Sequence, residues 1–113
     1  MGKCHMAAHL PESDWKQFRR LREVALERLC DRTLQEIVRL AADASSGSHQ
    51  RYLAIYELMQ RRDRDMARAF DDPRRSRALQ QLSAMHALGL LEVGELDAFT
   101  DETRKAVEFL SSL

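Results

Sequence analysis

Three breaks interrupt an otherwise continuous helical periodicity: Ser45-Ser46-Gly47-Ser48, Asp71-Asp72-Pro73 and Leu88-Gly89. Before the first break, apolar residues recur every three or four positions: Trp15, Phe18, Leu21, Ala25, Leu26, Leu29, Leu34, Ile37, Ala41 and Ala44. Those intervals place them on one face of a helix with about 3.6 residues per turn. A helix from Ser13 to Ala44 would be about 48 Å long at ~1.5 Å per residue. It must overhang its own fold, bend, or meet a second chain.

The local signals agree with this division. Leu10-Pro11-Glu12-Ser13-Asp14 suits a helix start, because proline lacks only an N–H that the first turn leaves unused and acidic groups favour the positive end of the macrodipole. Gly47 is expected to close the first helix in the left-handed conformation, with Ser48 capping the second. So short a loop forces an antiparallel hairpin. The second helix, about His49 to Phe70, carries Tyr52, Ile55, Tyr56, Met59, Met66, Ala69 and Phe70 as a stripe that reads as core and hairpin seam. Asp72 as N-cap and Pro73 as first residue begin a third helix to about Leu88, closed by Gly89 with Leu90 packing back. Val93 to Phe99 reads as a short helical turn, and Thr100 caps a last helix from Asp101 to about Leu110.

The expected fold class is therefore all-α: a four- to five-helix bundle built on a long antiparallel helical hairpin. Residues 11–113 are expected to form one domain, with the third and last helices covering the apolar face of the hairpin. Residues 1–10 read as a tail without fixed structure. His5-Met6 matches what a common cloning site leaves behind, so the native start is placed at Met6. Cys4, His5 and His9 have metal-ligating side chains, but in such a tail they carry no metal-site expectation.

With 44% hydrophobic and 32% charged residues, the composition suits a soluble helical domain with charged outer faces. Eighteen basic and eighteen acidic residues cancel, so no overall field draws the chain to nucleic acid or an anionic membrane. The short apolar runs exclude a membrane-spanning helix, and residues 1–11 lack the apolar core of a signal peptide. A cytoplasmic location is expected. Cys4 and Cys30 do not make a disulfide framework.

Polar interruptions in the stripes mark candidate inter-helix pairs. A hairpin turning near Gly47 places Arg22 beside Asp71 and Asp72, and Arg32 beside Asp63. Seven arginines between positions 61 and 77 (Arg61, Arg62, Arg64, Arg68, Arg74, Arg75 and Arg77) form the candidate anion patch. Asp63, Asp65, Asp71 and Asp72 run through the same stretch, so mutual neutralisation is preferred to nucleic-acid binding. Trp15 and Phe18 fall on the part of the first helix that outreaches its partner. They are the candidate subunit interface of a homodimer.

No glycine-rich phosphate loop, nucleophile elbow, Cys-x-x-Cys or Glu-x-x-His motif is present. His49 reads as a surface residue, His86 as packing at a helix edge, and Cys30 as a small core residue. Asp72-Pro73-Arg74-Arg75 between a helical hairpin and a third helix resembles the all-helical chorismate mutases. That resemblance implies a mutase-like helical enzyme. The family continues its step with glutamate where this chain has Ser76, and takes a lysine from its second helix. The lysines here are Lys3, Lys16 and Lys105. The family's glutamine near the C-terminus is missing too, and the activity is not assigned. Leu88-Gly89-Leu90-Leu91 followed by Glu95-Leu96-Asp97-Ala98-Phe99 resembles C-terminal oligomerisation modules of many bacterial proteins, which implies interaction.

The expectation is a small bacterial-type, non-catalytic interaction or scaffold module that self-associates and needs no cofactor. The alternatives are an arginine-dependent binder of nucleic acid or an anionic ligand, and a mutase-like helical enzyme.

Overall fold

A computed structural model describes residues 10–113, and the expectations for the tail before Leu10 lie outside the described residues. Four α-helices and two short 3-10 turns make up the fold, with no strand among the described residues. Helix α1 spans Glu12–Ala41, α2 Ser48–Phe70, α3 Ala78–Ala87 and α4 Asp101–Ser111; the 3-10 turns are Arg75–Arg77 and Glu95–Ala98. The all-α expectation holds.

Helices α1 and α2 form the antiparallel hairpin. Its register is marked by Arg22 Nη2 donating to Phe70 O at 2.7 Å, by the Arg62–Glu36 ion pair, and by Arg51 Nη1 donating to Ala41 O at 2.6 Å. Helix α3 packs against α4 and against the proximal parts of both hairpin helices, and α4 meets the first turn of α1 at Asp14. The molecule is therefore elongated, 61 Å by 24 Å by 22 Å, with a body at one end and a bare two-helix arm at the other.

The body has a continuous core: Phe18, Leu21, Ala25 and Leu29 from α1, Ala69 and Phe70 from α2, Ala78, Leu82 and Met85 from α3, Val107 from α4, and Leu10, Leu90 and Phe99 from the connections. Leu10 thus belongs to the core, not to a tail. Phe18 is wholly buried, and Trp15 stacks on it with ring centroids 5.6 Å apart. Phe18, expected at a subunit interface, is thus inside the single chain, while Trp15 is half-buried beside it. The overhang of α1 lies at its other end, because α4 folds back over the first turns.

Local chemistry explains where helices end. After α3, Gly89 adopts φ 73°, Leu90 N donates to Met85 O at 3.0 Å and Gly89 N to His86 O at 3.0 Å. This pair of bonds satisfies the last carbonyls while Leu90 packs into the core. Thr100 caps α4 as expected, its side chain accepting from Thr103 N. Gly47 is extended (φ −70°), so the hairpin turn is not closed by a left-handed glycine. Asp43 shapes it instead, accepting from Ser45 N at 3.0 Å and Ser45 Oγ at 2.6 Å. Asp72 does not cap α3 either. It sits at φ 50°, a conformation aspartate tolerates better than most residues, and the chain advances through the 3-10 turn before α3 begins at Ala78.

Candidate interaction surface

The arm carries the least expected feature of the molecule. Leu34 is 61% exposed, Val38 66%, Tyr52 67%, Tyr56 53% and Met59 41%. The sequence pattern assigned Tyr52, Tyr56 and Met59 to the hairpin seam and Leu34 to the core. The seam is in fact narrow and partly polar, with Thr33 and Leu58 buried in it beside the Arg62–Glu36 pair. Leu34, Val38 and Ala41 follow one another at i, i+4, i+7 on α1, and Tyr52, Tyr56 and Met59 do the same on α2.

Each of these stripes lies about 100° around its helix from the seam, in the direction of increasing residue angle. Viewed from one end, the angles of antiparallel helices increase in opposite senses, so equal offsets point to the same side of the hairpin. The two stripes therefore merge into one apolar face, edged by half-buried Cys30, Ile37 and Ile55. Cys30 belongs to this margin and not to the core. Arg28 and Arg32, which hold the body's loop, are offset in the opposite direction.

The sequence-derived polar pairs form differently. Arg22 reaches the carbonyl of Phe70 and stacks its guanidinium over the Phe70 ring at 5.8 Å, in place of a bond to Asp71 or Asp72. Arg32 turns to the body, donating to Leu88 O at 3.0 Å and Gly89 O at 2.9 Å. Asp63 is left exposed. The ion pair that crosses the seam is Arg62 with Glu36, one residue along in α2 from the predicted position.

The candidate anion patch divides into two parts. Arg62 pairs with Glu36 and Asp65, Arg74 with Asp72 at 2.7 Å, Arg75 with Glu12 at 2.9 Å and Arg77 with Asp72 at 3.4 Å. The Arg74 hydrogen bond holds the Asp72 carboxyl below its ordinary range. The arginines of the Asp72-Pro73-Arg74-Arg75 step are thus engaged within the chain. Arg61, Arg64 and Arg68 make no ion pair among the described residues and are exposed. Arg68 and Arg77 line an open cleft of about 720 Å³ between the end of α2, α3 and the end of α4. Gln80, Gln81 and Ser76 add polar groups there, while Ala84, Ala87 and Leu110 form an apolar wall. This arrangement can accept an anion that carries a small apolar portion.

Other polar groups are structural. His86 Nδ1 lies 2.9 Å from Ser111 Oγ, tying α3 to α4. No group of three metal-ligating side chains occurs among the described residues, and no described helix is long and apolar enough to cross a membrane. Comparison of the chain with protein-family models, curated proteins and solved structures finds no match.

Proposed function

We propose that this chain is a non-catalytic interaction module that self-associates through the apolar face of its hairpin arm. The observation that carries this reading is the merged stripe of Leu34, Val38, Tyr52, Tyr56 and Met59, exposed along the hairpin arm beyond the body. At roughly 200 Å² for a large side chain, these exposures leave roughly 600 Å² uncovered on these five residues alone. With the half-buried margin added, the face approaches the ~800 Å² that each partner contributes to a standard interface, and exceeds the patches common on monomers.

A second observation supports an occupant for that face. The arm's own seam is poorly satisfied: Arg51 and Arg62 each bury an Nε that has no hydrogen-bond partner among the described residues. Two helices held by so narrow a seam are weakly stabilised, and covering their open face would supply the missing burial. Stacking two arms face to face makes a four-helix bundle, the standard way to bury such stripes. The interface is self-complementary, as a two-fold dimer requires.

The test is the oligomeric state of the purified chain by light scattering from low to high micromolar concentration. The expected result is a dimer that Val38→Glu combined with Tyr56→Glu converts to a monomer with unchanged helical circular dichroism. Both side chains are more than half exposed in the single chain, so the substitutions spare its core. A wild-type monomer throughout the range, or a double variant that still dimerises, overturns the proposal.

A further inference from the structure

We infer that the two arms stack antiparallel, each hairpin tip lying over the base of the other, around a two-fold axis at the level of Val38 and Tyr56. This inference rests on self-association through the arm face and fixes its geometry. The charges along the two stripes carry it. On α1 the stripe runs Glu23, Glu27, Cys30, Leu34, Val38, Ala41, and on α2 it runs His49, Tyr52, Tyr56, Met59, Asp63. Each is apolar in the middle. Each is acidic at the base of the arm, where Asp31 also flanks the stripe.

The tip has the opposite character. Helix α2 begins there with no side-chain cap and no acidic residue in its first turn, and the carboxylate of Asp43 in the turn is spent on Ser45 and Ser46, so the free N–H groups at the start of α2 have no side-chain acceptor. Acidic residues near such a terminus are stabilising.

Two face-to-face arrangements have two-fold symmetry. With the axis along the helices, both tips point the same way and each α1 lies over the partner's α2. In the hairpin register, Asp31 then lies level with the partner's Asp63, and the acidic bases repel each other. With the axis across the helices, α2 lies antiparallel over the partner's α2. His49 and Asp63 stand seven residues to either side of Tyr56, so each His49 comes level with the partner's Asp63. The uncapped start of α2 then meets the acidic base, at both ends of the interface. The bodies lie at opposite ends of such a dimer.

Cross-linking tests this geometry. In a background of Cys4→Ser and Cys30→Ala, a chain with His49→Cys is mixed with a chain with Asp63→Cys, oxidised, and compared with a Ser46→Cys chain alone. Facing residues come within reach of a thiol link, whereas Ser46 and the partner's Ser46 would be about 24 Å apart at ~1.5 Å per residue. The expected result is a covalent dimer between positions 49 and 63, in at least tenfold higher yield than from Ser46→Cys. A dimer by light scattering that links through Ser46→Cys, or through neither set, overturns the antiparallel geometry and leaves the self-association standing. A monomer overturns both.

Discussion

Asp14 shows how one residue can join the two ends of a chain. It is almost fully buried, yet it is a carboxylate. Its Oδ1 accepts from Thr100 N at 3.0 Å, and its Oδ2 accepts from Thr100 Oγ1 and Thr103 Oγ1, both at 2.7 Å. It stands in the first turn of α1 and also against the N-terminus of α4, so two positive helix ends face one negative charge. Three hydrogen bonds and that field compensate the lost hydration. Asp14→Ala removes all of this and takes the acceptor from the buried Thr103 hydroxyl, which is expected to destabilise the fold by about 3 kcal/mol. Asp14→Asn keeps one acceptor and should cost about half as much. Urea unfolding followed through Trp15 fluorescence measures both, and an alanine variant within about 0.5 kcal/mol of wild type would show the network to be ornamental. From sequence, Asp14 reads only as a favourable first-turn acid, because nothing local indicates that Thr100 returns to meet it.

At the scale of elements, the connection from α3 to α4 is clamped onto α1 by two arginines, Arg32 at Leu88 and Gly89 and Arg28 further along. Arg28 meets Glu95 in a two-pronged pair at 2.7 and 2.8 Å and also donates to Leu90 O at 2.9 Å. Glu95 Oε1 in turn accepts from Glu92 N at 2.7 Å. The Arg28 hydrogen bond holds the Glu95 carboxyl below its ordinary value of 4.5, more strongly than burial pushes it up. A group whose value is lowered in the folded state contributes fully above its unfolded value and loses that contribution as pH falls through the folded one. Stability should therefore decline in acid below about pH 4.5, and Glu95→Gln should remove part of that decline while costing about 1–2 kcal/mol at pH 7. Urea midpoints at several pH values decide this; parallel pH curves for the two proteins would assign the acid sensitivity elsewhere.

The same scale shows what the sequence reveals and what it conceals. The Gly89 closure and the Thr100 cap are legible because both motifs are completed within a few residues. The hairpin register is legible because a short loop leaves little choice. The start of α3 is not, because Asp72 gives its carboxylate to Arg74 and Arg77 and leaves the cap position empty. Apolar periodicity also marks which residues share a face without saying what covers it. Phe18 and Tyr56 occupy equally regular stripes, yet the body covers Phe18 and, among the described residues, nothing packs over Tyr56 on the arm.

For the whole molecule, that division predicts two levels of stability in one chain. The body holds a continuous core drawn from all four helices, whereas the distal arm buries little beyond Leu58 and Thr33 and carries arginine nitrogens without partners. Amides of the arm should then exchange with solvent through local opening at lower free energy than those of α3. Pairing of two arms changes only this weaker part. A partner that binds the closed arm stabilises it by RT ln(1 + [L]/Kd), about 2.7 kcal/mol when the concentration is a hundred times Kd. Hydrogen exchange in residues 33–60 should therefore slow by roughly a hundredfold between dilute and concentrated samples, while residues 78–87 change little. The contrast separates arm pairing from general stabilisation, which would slow both segments, and from association through the body, which would protect α3 and α4 instead. Arm protection that stays constant across that dilution range would show that the exposed face is not where the molecules meet.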